Sequence, residues 1–154
     1  MDLMLQELGG GIASPEQLAR VVIRFLAAAL VGAIIGLQRQ RAHKPAGLRT
    51  HMLVSLGSAV FVLVPLELRV PIAEMGRVIQ GVATGIGFIG AGTILKRSDE
   101  RDVQGLTTAA GLWLTAALGV AIGIGGIGVA ALAALLTWFI LSVVGHVERR
   151  IGQH

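Results

Sequence analysis

The sequence predicts an all-α polytopic membrane protein of about five helices. Three observations lead there. Apolar residues make up 54% of the 154 and charged residues only 14%, whereas a soluble domain carries about 25% charge. Five apolar stretches recur along the chain, each near the roughly 20 residues that a helix needs to cross a bilayer. Lys and Arg gather at the ends of these stretches rather than along one face, as topology signals do.

The length suits a single domain over residues 1–154, with a mean hydropathy of +0.77. A net charge of +4 and a pI near 11.1 raise nucleic acid as a partner, but the scatter of basic residues over span ends argues against it. There is no cysteine, so disulfides, thiol catalysis and Cys-bound metals are excluded. The start of the chain is acidic (Asp2, Glu7, Glu16) and lacks the basic region of a signal peptide. The first apolar span is therefore expected to stay in the mature protein.

Residues 1–13 hold scattered apolar positions and then Gly9-Gly10-Gly11, an expected interfacial segment. Ser14-Pro15-Glu16-Gln17 reads as a helix start. Ser14 can cap, Pro15 suits the first helical position, and Gln17 can complete a capping box. The expected spans are about 20–38, 51–68, 78–96, 105–123 and 127–145. The last two are joined by a tight uncharged turn from Gly123 to Gly126. The fifth span is the bulkiest, with Leu132, Leu135, Leu136, Trp138 and Phe139, and is expected at the bundle edge. Trp113 and Trp138 are expected to act as large apolar packing groups, and His146 as an interfacial side chain.

The first loop holds Arg39, Arg41, Lys44 and Arg49 and no acid. The third holds Lys96, Arg97 and Arg101 among Asp99, Glu100 and Asp102, and the C-terminus holds Arg149 and Arg150. Because Lys and Arg set orientation, these three regions are expected inside and the acidic N-terminus outside. Arg20 can snorkel to the interface. Arg24 lies a turn deeper, where a charge faces protein or water rather than lipid.

A shift of 58 residues aligns two stretches without gaps. Gly32-Ala33 matches Gly90-Ala91, Leu37 and Arg39 match Leu95 and Arg97, and Gly47, Leu48 and Thr50 match Gly105, Leu106 and Thr108. Leu56 and Ala59 match Leu114 and Ala117. Helices one and two are thus expected to repeat as three and four, both pairs running the same way across the membrane, with the fifth helix outside the repeat.

Most of the 22 glycines fall inside the spans. Thr107, Gly111, Thr115, Gly119 and Gly123 form one ridge, Gly32 and Gly36 with Ala28 a second, and Gly81 with Gly85 a third. Such ridges let helix backbones approach closely. Packing is the ordinary reading, and a surface for a partner helix or a second copy is the functional one. Gly85-Ile86-Gly87-Phe88-Ile89-Gly90 has the letters of a dinucleotide fingerprint, but no strand precedes it and no acid follows at the required spacing. Ser55, Ser58 and His51 lie close together without the arrangement of a catalytic dyad. Glu67 and Glu74 are outer-loop carboxylates that can meet Mg²⁺, which prefers oxygen ligands. Their ordinary role is pairing with Arg69 and Arg77.

Gly36-Leu37-Gln38-Arg39, Ala46-Gly47-Leu48-Arg49-Thr50-His51, the glycine-rich run from Gly85 to Gly92, and Gly105-Leu106-Thr107-Thr108 with Trp113 together resemble the MgtC/SapB family over about residues 20–145. The resemblance implies a bacterial inner-membrane protein without enzymatic activity. It also implies links to growth in low magnesium and to virulence through survival in macrophages. A regulator acting through membrane-embedded contacts is expected, with the proton-driven ATP synthase as one implied partner and a homo-oligomer as a further expectation. The alternative is an oligomeric cation transporter or channel subunit. The family usually carries Glu where this chain has Gln38, and often at Gln40. Its Asp before the third helix aligns with Glu74. These departures bear on any cation or proton role. The family's virulence members carry a soluble C-terminal domain, whereas this chain is expected to consist of the transmembrane domain alone. No cofactor is expected beyond a weak case for Mg²⁺ at Glu67 and Glu74.

Any site is expected where the two repeated loops meet at the inner face, with Arg39, Arg49, Thr50, Thr107 and Thr108 converging. There the arginines can hold a headgroup, phosphate or carboxylate. The plainer alternative gives Gly47 and Gly105 to helix starts and the threonines to backbone groups. Arg24, Gln80 and Thr84 are the expected intramembrane polar groups.

Overall fold

In the computed structural model, which describes residues 14–96 and 103–145, Ser14 opens the first helix as its sequence suggests. Its hydroxyl accepts a hydrogen bond from the Gln17 amide at 3.2 Å, and Pro15 fills the first helical position. The expected N-terminal interfacial segment, the charges from Arg97 to Asp102, and His146 with the basic C-terminus lie outside the described residues.

Helix α1 runs Pro15–Arg41, longer at both ends than the expected span. Helix α2 runs Leu48–Glu67 and starts three residues early, because Gly47 caps it and the Gln40 side chain accepts from the Leu48 amide at 3.2 Å. Helix α3 runs Ile72–Ala91 rather than 78–96. Pro71, with its fixed φ, starts it, and Glu74 and Arg77 fall in its exposed first turns. After Gly92 the chain pairs Leu95–Lys96 (β1) with Val103–Gln104 (β2) as a two-residue antiparallel ladder that the sequence did not signal. Gly105, at φ 94°, then starts α4, Leu106–Gly123. That left-handed conformation suits only glycine without strain. Gly47 and Gly105, equivalent in the repeat, thus both sit at helix starts. Helix α5 runs Ile127–Phe139 and continues as a π-helical turn, Ile140–Val144.

Four of these helices are long and apolar enough to cross a membrane: α1, α2, α4, and α5 with its π-helical turn. Helix α3 has the length, at 20 residues, but Glu74, Arg77, Gln80 and its glycines lower its apolarity. The protein is a helical membrane protein.

Small residues decide which helices touch. Helix α2 is central and packs closely on both α1 and α4. A Cβ placed on Gly32 would stand 2.6 Å from the His51 carbonyl oxygen, and one on Gly36 would stand 2.8 Å from the Leu48 Cα. Gly119 lies against the Ser55 backbone and Gly123 against Ala59 and Val62. The repeat holds in space as well as in sequence. Gly32 rests on His51, and 58 residues later Gly90 rests on Ala109, where a Cβ added to Gly90 would stand 3.5 Å from the Ala109 Cβ. Helix α5 covers the seam between α1 and α4 with Ala130, Ala134 and Thr137, joining a core of Ala28, Ile35, Ala59, Leu118 and Ile122.

Three packing expectations change. Gly81 and Gly85 meet no neighbour within 4 Å, so their ridge is open rather than packed. Thr107 is exposed and leaves the α4 ridge, which begins at Thr108 and Gly111. Trp113 and Trp138 are 51% and 45% exposed. They stand half-exposed on the outer surface of the bundle. Helix α5 does lie at the edge, but so does α3, which buries only Met75, Ile86 and Gly90.

The close crossings carry the stability. Gly119→Ala is expected to destabilise the fold by about 1–3 kcal/mol through overpacking, read as unfolding in a fixed detergent. Gly81→Ala is expected to leave the same transition within about 0.5 kcal/mol.

Candidate functional site: a buried polar seam and an open groove

Of the five residues expected to converge, the structure joins two. The Arg39 Nη2 donates to the Thr108 hydroxyl at 2.8 Å, with both side chains buried. Arg39 closes the last turn of α1 and Thr108 stands in the first turn of α4, so the bond crosses from one repeat to the other. Arg49 and Thr107 are exposed, and Thr50 is half-buried. None of the three joins the seam. The repeat mate of Arg39, Arg97, lies outside the described residues.

Two further residues complete the seam. His51 and Ser55, one turn apart on α2, are fully buried. His51 Nδ1 lies 3.0 Å from the Gly47 carbonyl oxygen, an acceptor, so that nitrogen carries a proton. Among the described residues, His51 Nε2, Ser55 Oγ, Arg39 Nε and Gln38 Oε1 have no hydrogen-bond partner. Gly111 leaves room beside Nε2, since a Cβ there would meet only that atom, at 3.8 Å. The sequence signal for this pair was two polar residues at i and i+4 inside an apolar span. It was read against catalysis and never connected to Arg39, because only the fold brings α1 and α4 against that face of α2.

Several other polar groups make hydrogen bonds or ion pairs elsewhere in the structure. Arg24 Nη1 donates to the Gly123 carbonyl oxygen at 3.0 Å, facing protein as its depth required. Gln38 Nε2 donates to the Leu141 carbonyl oxygen at 3.0 Å, one of the carbonyls of the π-helical turn. A carboxylate has no hydrogen to donate there, so the departure from Glu at this position suits the contact. Gln80 and Thr84 are exposed on α3, and Thr84 donates to the Gln80 carbonyl oxygen at 2.9 Å. Glu67 accepts from the Gln17 side-chain amide, and Glu74 pairs with Arg77 at 3.4 Å. Each carboxylate of the Mg²⁺ reading thus has a different partner. No group of three His, Cys, Asp or Glu side chains converges among the described residues.

The second feature is a groove of about 640 Å³ between α2 and α3. Gly57 on α2 and Gly81 and Gly85 on α3 widen it, and Phe61, Val78 and Ile89 line it. Ser58 opens onto it, is only 5% exposed, and makes no side-chain hydrogen bond among the described residues. No other helix of the described residues covers this side.

Comparison with known proteins supplies the remaining facts. The family model described as the MgtC family matches residues 25–150. SrpB of Synechococcus elongatus is 53% identical over 113 residues, which are 66% of this chain and 62% of that protein. YhiD of Escherichia coli K12, whose name describes it as a candidate magnesium transporter, is 39% identical over 140 residues, 86% of this chain and 64% of that protein. MgtC of Salmonella typhimurium LT2 is 43% identical over 104 residues, 68% of this chain and 43% of that protein. The chain spans less than two thirds of the length of each of these relatives. No solved structure matches it.

The seam makes the two threonines of the repeat unequal. Thr108→Val leaves Arg39 Nη2 unsatisfied and is expected to destabilise the fold by about 1–3 kcal/mol. Thr50→Val is expected to stay within about 0.5 kcal/mol. Unfolding of both variants in one detergent reads the difference.

Proposed function

The chain belongs to the MgtC family, and from that premise we propose that it is a non-conducting regulator of the bacterial inner membrane that acts by helix contact with another membrane protein. The observation that carries this reading is the α2–α3 groove. Gly32, Gly36, Gly119 and Gly123 are consumed by contacts within the chain, whereas Gly81 and Gly85 face open space. Lipid chains are as apolar as leucine, so a small-residue surface gains little from lipid and much from a closely seated helix. The carboxylates that would hold a cation in the transport reading are instead paired at the surface. The reading takes the role as non-enzymatic, in keeping with relatives named for transport or as MgtC. The orientation that suits the first loop's charge places the Arg39 end of the bundle inside.

The name of one relative, YhiD, ties the reading to magnesium, so the test uses magnesium limitation. The chain is expressed in a bacterial host lacking its own members of the family, and growth in low magnesium is measured. Gly85→Leu puts bulk into the open groove, at a position where an added Cβ would meet nothing within 4 Å. It is expected to abolish the growth effect at unchanged membrane level, whereas Glu67→Gln with Glu74→Gln retains it. Mg²⁺ uptake into proteoliposomes by the purified chain, or full activity of Gly85→Leu, would overturn the proposal.

A further inference from the structure

We propose that the polar seam binds one small monovalent anion of the chloride class, held between Arg39, His51 and Gly111. The site is separate from the α2–α3 groove and does not depend on how that groove is used.

Arg39 is 3% exposed, and its bond to Thr108 joins it to a neutral hydroxyl. Every carboxylate of the described residues stands at the other end of the bundle. Glu16 lies in the first turn of α1, Glu67 closes α2, and Glu74 lies in the first turn of α3. Along α1 alone, Glu16 and Arg39 are about 34 Å apart. Helices α4 and α5 contain no charged residue. A lone charge taken out of water is costly unless an opposite charge joins it. Among the described residues that opposite charge is missing, and an anion supplies it.

Three helices bring the site together. Gly32, Gly36 and Arg39 lie on one buried face of α1, and a Cβ added to Gly36 would stand 3.0 Å from the His51 Cβ. Arg39 Nη2 ends on Thr108, and His51 Nε2 ends beside Gly111, one turn further along the same face of α4. Arg39 Nε and His51 Nε2 are both buried there without a partner among the described residues. The Ser55 hydroxyl, one turn deeper on α2, is a further unpartnered donor. A Cβ added to Gly111 would meet only Nε2, at 3.8 Å, so a space the size of a methyl group is open beside that nitrogen. A chloride ion is of that size, whereas oxyanions are larger. This selects a halide.

His51 Nδ1 donates to the Gly47 carbonyl oxygen. Nε2 therefore becomes a donor to an anion only when the ring takes up a second proton. Anion binding is thus linked to proton uptake. Arg39 is the charged group near enough to act on His51. The facing side of α4 offers Thr108, Gly111 and Thr115, and α3 carries Glu74 and Arg77 in its first turns, at the far end. Arg41, His43, Lys44 and Arg49 are exposed.

The full chain is purified in an uncharged detergent, and sodium gluconate is replaced by sodium chloride or bromide at constant ionic strength. Either halide is expected to raise the unfolding temperature by about 3–6 °C, and the chloride NMR resonance is expected to broaden through exchange with the site. Gly111→Ala adds a methyl group at van der Waals distance from its one neighbour, so its unfolding temperature in gluconate is expected to hold. Gly111→Ala and Arg39→Gln are each expected to cut the excess line width about tenfold. Arg49→Gln, which removes an exposed charge, is expected to leave it unchanged. The excess line width is expected to grow as pH falls from about 8 to about 6, through the imidazole range. Unfolding temperatures indifferent to the halides, or equal excess line width in the unaltered chain and Gly111→Ala, assign the space to water and overturn the site. A line width independent of pH overturns His51 as a ligand, and with it the site.

Discussion

The fold depends on the close approach of α2 to its two neighbours. Between helices surrounded by lipid there is little hydrophobic gain to hold them together, so contact rests on dispersion at short range. Gly32 and Gly36 let α1 lie against the His51 turn of α2, and Gly119 and Gly123 do the same for α4. These crossings place the end of α1 beside the start of α4, so they also place Arg39 beside Thr108. They set the seam across which α5 lies. Helix α3 has no comparable pair of glycines against α2, and there the bundle opens into a groove.

The buried seam follows from that geometry. Arg39 is bonded to a neutral hydroxyl, and the ion pair described in this chain, Glu74 with Arg77, lies elsewhere on an exposed surface. A buried guanidinium with one such bond is retained only because the surrounding helices fix its place. Its neighbours His51 and Ser55 keep unsatisfied polar atoms in the same interior. Each such atom disfavours burial, so the glycine crossings stabilise the bundle against its own polar seam. A fold held by large interlocking side chains would not bring α2 and α4 backbones near enough to enclose residues as small as Ser55 and Gly111 without voids.

The sequence made the helices legible and left their partners obscure. Ser14-Pro15 marked the start of α1 and the repeat marked Gly47 and Gly105, because capping and left-handed backbone are local requirements. The start of α3 was missed because Glu74 and Arg77 argued against a span, although a helix can begin above the apolar region. Glycine spacing of four residues occurs at both Gly81–Gly85 and Gly32–Gly36, yet one pair is bare and the other is covered. Nothing local distinguishes them, since coverage is decided by where other helices stand. Of the residues expected to converge, Arg39 and Thr108, the pair spanning the repeats, are hydrogen-bonded. Arg49 has no counterpart in the second copy, where Thr107 stands at the matching position, and both remain exposed.

The repeat explains why the bundle is lopsided. Two equivalent helix pairs related by an axis along the membrane normal would present two equivalent seams. A chain with an odd number of helices can cover only one of them from within. Helix α5 covers the α1–α4 seam, and its outer face is then free to carry the bulky Leu132, Leu135 and Phe139 that suit lipid. On the opposite side the surface stays small and partly polar, with Gly57, Gly81, Gly85 and Ser58. The odd helix thus does more than add a span. By filling one of two like positions, it turns a symmetric scaffold into one with a single uncovered seam among the described residues.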